Sequence, residues 1–263
     1  MTRKLCFTAD VDRDVNICIP GRIAAASMRT DDNRARFTSS EEGVNILLDM
    51  LDDIGITATF FTEARTLENI DVQFGNNEVA MHGLDHEDMT GELSGVRISG
   101  EMISELMQRS SDIIRDRTGR AAKGFRAPYM RTNIEVMKML PRFGIVYDSS
   151  MYAPIGAAAP YDTENGIKEV PVPESTDANG KRITGYLWPM HENVRGPDEF
   201  IRMAGEVRNG IFVLATHSWH MVESRSGGMM DAARREMNIN DVRKTITSLL
   251  DSGFKAARMT DTI

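Results

Sequence analysis

The sequence predicts an α/β fold, a closed or nearly closed (β/α) barrel with about seven or eight mostly parallel strands. Short apolar runs alternate with longer amphipathic stretches along the chain, as expected of repeated βαβ units. The number of strand-like runs suits such a barrel, and the length suits one domain over residues 1–263. An open doubly wound sheet is the alternative, but no glycine-rich dinucleotide fingerprint follows the first strand.

The predicted strands are short runs that are rich in β-branched and aromatic residues. Residues 255–260 form a last short run, and residues 175–196, rich in Gly, Asn and Pro, are expected to form a loop. The main strands are predicted at 4–11, 56–61, 78–83, 122–129, 145–151, 167–172 and 211–219.

The predicted helices carry apolar residues at helical spacing and have recognisable ends. Ser40 is a candidate N-cap for a helix over 39–55, which Gly55 would stop. Gly119 would end a second long helix over 100–118. Further helices are predicted near 64–70 and over 132–144, 197–210 and 231–252.

Composition and charge exclude several classes of protein. Hydrophobic residues make up 41% of the chain and charged residues 27%, so a sizeable core is expected rather than disorder. The net charge of −8 argues against nucleic acid and anionic membrane surfaces as partners. The sequence has no leader-like or membrane-spanning apolar run, and two cysteines are too few for a disulfide framework. We therefore expect a cytoplasmic location.

Polar side chains lie where the predicted strands end. In a parallel barrel all strand carboxyl ends meet at one face, and that face carries the active site. Residues far apart in the chain should therefore converge on one rim. The residues concerned are Asp10, Asp12, His82, Arg126, Asp148 and His217.

Two of the five histidines, His82 and His86, are four residues apart. Such a pair can bind one metal from a single helical face, but the spacing alone is weak, and an ordinary polar loop remains the alternative. Gly83 occupies the place where the zincin motif has glutamate, so a third ligand must come from elsewhere. Candidate carboxylates are Asp10, Asp12, Asp85 and Asp88, of which the last two are better explained as loop residues or caps.

Asp10 and Asp12 are two residues apart and would share one face of a strand. Two carboxylates on one face repel each other unless a cation or a proton separates them. One of them could ligate a metal while the other acts as general base. A surface acidic turn is the alternative, but acidic residues at the end of an apolar strand are costly without partners.

Other strand-end residues offer complementary chemistry. Arg126 could hold a carboxylate with its planar guanidinium, or form a purely structural salt bridge. His217 could donate a proton to a leaving group. His220 follows in the loop without an assigned role, and His191 is expected at the surface or along a substrate cleft.

Five segments, "TADVD", "HGLDH", "FRAPY", "YDSSM" and "LATHSW", follow one another along the chain. Together they resemble the polysaccharide deacetylases, also called NodB-homology or carbohydrate esterase family 4 proteins, over about residues 4–220. The resemblance implies a NodB-like distorted barrel that hydrolyses C–N amide bonds. It also implies Zn²⁺, or a similar divalent ion such as Co²⁺, Mn²⁺ or Ni²⁺, held by Asp12, His82 and His86.

The resemblance implies a role for further residues. Asp10 resembles the catalytic base, and Arg126 resembles the arginine that holds this base. His217 resembles the catalytic acid, and Asp148 resembles the aspartate that tunes it. Around them, the backbone N–H of Tyr129 resembles the oxyanion donor, and Pro128 helps to shape the groove.

Three departures from the family pattern bear on the substrate. Val11 separates the two aspartates, which are adjacent in many extracellular members. Met130 stands where a glycine commonly follows the tyrosine, and no tryptophan follows Asp148. With the missing leader, these changes suggest an intracellular branch that resembles peptidoglycan-deacetylase-like proteins and hydrolases of cyclic imides or allantoin.

The sequence therefore predicts a metal-dependent hydrolase of C–N amide bonds, with N-deacetylation of a sugar or glycan as the first expectation. The alternatives are hydrolysis of a small linear or cyclic amide, and a catalytically silent carbohydrate-binding relative. A non-haem Fe(II) oxygenase also uses two histidines and one carboxylate, but it does not require a second carboxylate. We expect a small-molecule or glycan substrate, with specificity in segments 13–38 and 175–196, and leave self-association into a homo-oligomer open.

Overall fold

A curled sheet of nine strands forms the centre of the fold, and helices cover its outer face. The structure, a computed structural model, describes residues 2–263. The strands of this part of the chain are β1 Arg3–Val11, β2 Asn16–Ile17, β3 Ala26–Ser27, β4 Thr59–Thr62, β5 Glu78–Met81, β6 Gly124–Phe125, β7 Tyr147–Asp148, β8 Tyr152–Pro154, β9 Tyr161–Asp162, β10 Lys168–Glu169, β11 Val172–Thr176, β12 Arg182–Thr184, β13 Gly210–His217, β14 Glu223–Ser224, β15 Gly228–Met229 and β16 Lys255–Ala256. The helices are α1 Thr38–Ile54, α2 Ala64–Asn69, α3 Gly100–Thr118, α4 Ile134–Met139, α5 Trp188–His191, α6 Pro197–Gly205 and α7 Ala232–Asp251.

The main sheet runs in the order β13-β1-β4-β5-β6-β7-β10-β9, and β16 also pairs with β1. All of its pairings are parallel except the one between β9 and β10. The predicted fold class, a distorted barrel of mostly parallel strands, is thus confirmed. Eight of its strands overlap predicted runs, among them β16 in the run over 255–260, and the ninth, β9, contains only two residues and lies outside them.

A second, smaller sheet helps to close the gap between the two edges of the main sheet. It has the order β12-β11-β8. Gly185, just after β12, donates its N–H to the carbonyl of Pro173 in β11 at 2.8 Å. Its own carbonyl accepts the N–H of Ala215 in β13, also at 2.8 Å. The segment 175–196 is therefore not a plain loop, as the sequence suggests, but contains β12 and α5.

The register of the parallel strands brings their carboxyl ends to one level. Asp10 of β1 lies opposite His217 of β13 and opposite Phe61 of β4. Thr62 of β4 lies opposite Met81, the last residue of β5. Residues that directly follow these strands therefore emerge at the same rim.

The N-terminus of α1 shows how a distant residue can replace a local cap. The helix begins at Thr38, and the predicted N-cap Ser40 already lies inside it. The carboxylate of Asp14 accepts the N–H of Ser39 at 3.1 Å and that of Ser40 at 2.7 Å. At the other end Gly55 adopts a φ of 79°, which confirms it as the predicted C-terminal stop.

The core is formed by the inner and outer faces of β1, β4 and β13 with the buried faces of α1, α3 and α7. The predicted strand over 122–129 is limited to Gly124–Phe125, because the chain then turns through a 3₁₀ helix at Pro128–Met130. Over the described residues, 2–263, none of the helices combines the length and hydropathy that crossing a membrane requires.

Candidate active site

Three of the strand-end residues, Asp10, His82 and His217, line a cavity of about 790 Å³ at the rim of the barrel. This volume lies within the range that is usual for small-molecule sites. Aromatic and apolar side chains make up much of its wall. The lining residues are Asp10, Asn16, Ile17, Cys18, His82, His86, Leu93, Tyr129, Met130, Tyr152, Thr184, Tyr186, Trp188, Pro189, His217 and Arg225.

Asp12, His82 and His86 form a buried cluster in which one ligand atom from each lies within 4.8 Å of the others. The Nδ1 of His82 donates to the carbonyl of Arg126 at 2.7 Å, because a carbonyl can only accept. This bond fixes the tautomer and leaves the Nε2 lone pair free for a ligand. The Nε2 of His86 lies 3.3 Å from Asp12 Oδ2.

The surroundings of this cluster fit a divalent cation. Asp12 Oδ1 and His86 Nδ1 are buried without a hydrogen-bond partner in the described part of the chain. Burial raises the pKa of Asp12 to about 7 and lowers that of His86 to about 4, so the imidazole is neutral at pH 7. A cation would compensate the buried carboxylate, and two imidazoles with one carboxylate match the ligand set of catalytic zinc sites.

The loop between the two histidines is held in an unusual conformation. Gly83 has a φ of 79° and His86 a φ of 51°, both in the left-handed region. The buried carboxylate of Glu87 accepts the N–H of Leu84 at 3.0 Å and that of Asp85 at 2.7 Å. The histidines therefore reach Asp12 from a tight loop fixed by Glu87, rather than from one face of a helix.

The other carboxylates considered as metal ligands are engaged elsewhere. Asp85 accepts from Arg13 Nη2 at 3.0 Å and from Arg65 Nε at 3.1 Å. Asp88 caps the following loop by accepting the N–H groups of Leu93 and Ser94 at 2.8 and 2.7 Å. Both therefore behave as loop residues or caps.

Asp10 is buried among donors at the end of β1. Its Oδ1 accepts from Arg126 Nη1 at 2.8 Å, and its Oδ2 accepts from the hydroxyl of Tyr186 at 2.5 Å. His217 Nε2 lies 3.9 Å from the same Oδ2. Burial alone would raise the pKa of Asp10, but the charges of Arg126 and the nearby histidines together with the hydrogen bond from Tyr186 outweigh it, and the pKa falls to about 2. Asp10 is therefore ionised at pH 7.

Asp148 is placed differently from what the resemblance implies. The parallel register of β7 and β10 sets it beside Glu169 rather than beside His217. Its Oδ1 accepts from Ser150 Oγ at 2.6 Å, and Glu169 Oε1 accepts the N–H of Met151 at 3.1 Å. Burial, followed by the charge of Asp148, raises the pKa of Glu169 to about 10, so the two carboxyl groups share a proton. No hydrogen bond joins Asp148 to His217 within residues 2–263.

The segment after Arg126 leaves one backbone donor unpaired in a residue that lines the cavity. Tyr129 and Met130 have φ values of 60° and 55°, so two successive residues are left-handed. The N–H groups of Met130 and Arg131 donate to the carbonyls of Ala127 and Pro128, whereas that of Tyr129 has no acceptor in the described part of the chain. The ring of Tyr129 packs edge-on against His86, with 4.5 Å between centroids.

His217 lies in an aromatic environment at the end of β13. The ring centroid of Trp188 is 5.1 Å away and that of Tyr186 is 5.6 Å away. Burial lowers the pKa of His217, and its Nδ1 has no hydrogen-bond partner within residues 2–263. The imidazole is therefore neutral in the resting site and faces the cavity with Asp10.

Two residues that line the cavity, Tyr186 and Trp188, were not identified from the sequence because they lie in the segment 175–196, which was expected to form a loop.

His191 was expected at the surface or along the cleft, but it is buried. Its ring nitrogens pair with Asn238 Oδ1 and Thr216 Oγ, both at 2.7 Å. A period-two or helical pattern could not have revealed these contacts, since they depend on the path of the chain after β12.

Comparison with known proteins adds independent information about this chain. Residues 30–147 match the family model described as polysaccharide deacetylase. A peptidoglycan deacetylase-like protein from Gibberella zeae is 28% identical over 127 residues, which cover 46% of this chain and 36% of the relative. A peptidoglycan deacetylase from Helicobacter pylori is 24% identical over 156 residues, which cover 57% of this chain and 51% of the relative. The matched chain thus spans about a third to a half of the length of these curated relatives.

A solved structure shares the fold over nearly the whole chain. It is a Mycobacterium smegmatis protein assigned to the polysaccharide deacetylases, with a TM-score of 0.66 and 20% identity. The alignment covers 99% of this chain and 88% of that chain. The barrel architecture is therefore shared with this solved structure.

Proposed function

We propose, on the premise that the chain carries a polysaccharide deacetylase family domain, that it is a metal-dependent hydrolase that removes the acetyl group from an N-acetylated sugar or glycan. The observation that carries this proposal is the pair of buried carboxylates, Asp10 and Asp12, at the same rim. Asp12 lies with His82 and His86, whereas Asp10 is ionised and faces the cavity. Metal-dependent amide hydrolysis of this kind needs both a set of metal ligands and a separate general base.

Asp12, His82 and His86 are the residues that would hold the metal. A bound divalent ion would supply Lewis-acid polarisation of the scissile carbonyl and would lower the pKa of a water molecule. The hydrogen bond from His82 to the carbonyl of Arg126 orients one ligand. Asn16 Nδ2 donates to Asp12 Oδ2 and orients the carboxylate.

Asp10 would accept the proton of the attacking water. Arg126 donates to Oδ1 and the Tyr186 hydroxyl donates to Oδ2, and Oδ2, which lies 3.9 Å from His217 Nε2, is the oxygen that would receive the proton. Its pKa of about 2 keeps Asp10 ionised at pH 7 but makes it a weak base, so it would hold the proton only until His217 takes it. His217 Nε2, 3.9 Å from Oδ2, is neutral and would take this proton and deliver it to the leaving nitrogen. One proton thus passes from water to the amine product, and both side chains return to their starting states.

The backbone N–H of Tyr129 would stabilise the oxyanion that forms when water adds to the carbonyl. Its donor is free within residues 2–263, and the left-handed backbone at Tyr129 and Met130 fixes its position. The loss of one such donor typically reduces the rate by about 10²–10³. Pro128 precedes this donor at the first position of the 3₁₀ helix and helps to set its geometry.

Hydrolysis of a small linear or cyclic amide is the second candidate. A cavity of about 790 Å³ with an aromatic wall accommodates a compact imide or ureide as well as a sugar unit. The test is a screen for acetate and ammonia release from N-acetyl sugars, chitooligosaccharides, cyclic imides and ureides, each with several divalent metals. Binding of sugar amides by the metal-loaded protein without any product release would instead support a silent carbohydrate-binding role.

Two aspartate variants separate the proposed roles. Asp12→Ala should lose metal binding and turnover together, as measured by zinc titration calorimetry and product release. Asp10→Asn should bind zinc with nearly the affinity of the native chain but lose turnover, since Asn cannot accept the proton. If Asp10→Asn retains turnover, Asp10 is not the base.

A further inference from the structure

One charged side chain at the cavity takes no part in the proposed reaction. Arg225 lies in the turn between β14 and β15 and lines the same cavity as Asp10 and His217. Its guanidinium forms no ion pair and no hydrogen bond within residues 2–263, although several arginines at this face of the protein are paired. Arg29, for example, pairs with Glu223.

The backbone of Arg225 is fixed on both sides. Its N–H donates to Glu192 Oε1 at 2.5 Å, and its carbonyl accepts from Arg29 Nη2 at 2.6 Å. The next residue, Ser226, donates its N–H to Glu192 Oε2 at 3.1 Å. The turn is therefore anchored by Glu192, the residue after α5, and by Arg29 of the segment 13–38, while the side chain of Arg225 forms no hydrogen bond within residues 2–263.

Trp188 gives this side chain a rigid support. The guanidinium carbon of Arg225 lies 5.8 Å from the Trp188 ring centroid, a distance that permits a cation–π contact. Trp188 packs in turn edge-on against His217, at 5.1 Å, and against His220, at 4.4 Å. Arg225 is thus connected through one aromatic ring to the proposed catalytic acid.

The charges at the cavity wall make an anion the suitable ligand for this arginine. Asp10 is the one acidic residue among the lining side chains of the described chain, and Arg126 already neutralises it. A planar guanidinium binds carboxylates and phosphates through paired N–H donors. We propose that Arg225, supported by Trp188, binds an oxyanion, a carboxylate or a phosphate, on the amide substrate. This inference rests on the proposed function and narrows its substrate class to anionic amides.

The test compares three N-acetyl probes on the full, metal-loaded chain. N-acetylmuramic acid carries a carboxylate, N-acetylglucosamine 6-phosphate carries a phosphate, and N-acetylglucosamine is neutral. Binding is measured by tryptophan fluorescence, because Trp188 belongs to the site and the chain has only two tryptophans. The variants are Arg225→Gln, Arg225→Lys and the matched control Arg208→Gln, which removes an exposed arginine outside the cavity.

We expect the native chain and the control to prefer at least one anionic probe over the neutral one by about tenfold. Arg225→Gln should abolish this preference, and Arg225→Lys should retain part of it because lysine lacks the planar pair of donors. Equal affinity for all three probes, no binding of either anionic probe, or an unchanged preference in Arg225→Gln would overturn the inference.

Acetate release from the same probes is recorded separately. Release from the neutral probe without any preference for the anions refutes the inference but leaves the proposed function intact. A preference that depends on Arg225, without release from any probe, supports the anion site and contradicts deacetylation. The two failures can therefore be distinguished.

Discussion

Replacement of Arg126 by methionine tests how the buried base is held. The guanidinium is fully buried and donates to Asp10 Oδ1 at 2.8 Å, to Thr8 Oγ at 3.0 Å and to Ser149 Oγ at 3.0 Å. Methionine is of similar length but provides no donor and no charge, so Asp10 would remain buried without a counter-ion. Breaking a buried ion pair from one side costs about 3–5 kcal/mol of unfolding free energy. For a chain of this size that corresponds to a decrease in Tm of about 6–20 °C.

The assay is urea unfolding of the metal-free protein, followed by circular dichroism. Asp10→Asn in the Arg126→Met background removes the unpaired charge, so the double variant should be more stable than the sum of the two single losses predicts. We expect this coupling to exceed about 1 kcal/mol, well above the deviation seen for independent sites. Arg208→Met is the control for the loss of an exposed arginine. Strict additivity, or a loss below about 1 kcal/mol in Arg126→Met, would refute the role assigned to this ion pair.

Two further predictions concern other parts of the site. Burial, and then the charge of Asp148, raise the pKa of Glu169 to about 10 in the folded protein. In the unfolded chain this pKa is about 4.5, so the folded protein binds the proton of Glu169 more tightly than the unfolded chain does. The stability contributed by this group therefore falls as pH rises from about 5 to 10. Glu169→Gln keeps a donor to Asp148 and does not titrate. In urea unfolding at pH 5, 7 and 9 its free energy of unfolding should therefore decrease less with rising pH than that of the native chain. The same pH dependence in both proteins would contradict the shared proton. Gly83→Ala would place a Cβ 2.5 Å from Glu87 Oε2 in a residue with a φ of 79°. Zinc titration should show about 10–100-fold weaker binding, whereas the control Gly95→Ala, with a φ of 75° and no atom within 4 Å of the new Cβ, should bind zinc normally; equal affinities would contradict the role of this loop.

The convergence of the site residues could be predicted from the sequence because it depends on strand order and direction alone. Once the strands are parallel, the residues that end them must meet at one rim, and Asp10, His82, Arg126 and His217 do so. The C-terminal ends of the long helices were predicted to within about one residue where a glycine stops the helix, as at Gly119 with its φ of 70°. Both results follow from local chemistry or from a simple topological rule.

Contacts that depend on side-chain direction or on long loops could not be predicted. Asp148 ends a strand as expected, but the register with β10 turns it toward Glu169. Tyr186 reaches Asp10 from a segment without periodicity, and Asp14 caps α1 across 25 residues of chain. No local pattern encodes such pairs, because each is set by the path of two separate segments.

Arg126 also has a mechanical effect on the barrel. β1 and β6 are not neighbours in the sheet, since β4 and β5 lie between them, and they share no backbone ladder. Arg126, directly after β6, nevertheless bonds to Thr8 and Asp10 of β1, and its N–H donates to Met81 of β5 at 3.0 Å. One side chain therefore braces the rim from inside, so the ends of these strands form a single cooperative unit in local opening motions. The geometry of the site is thereby protected from the fluctuations expected of strands only two residues long.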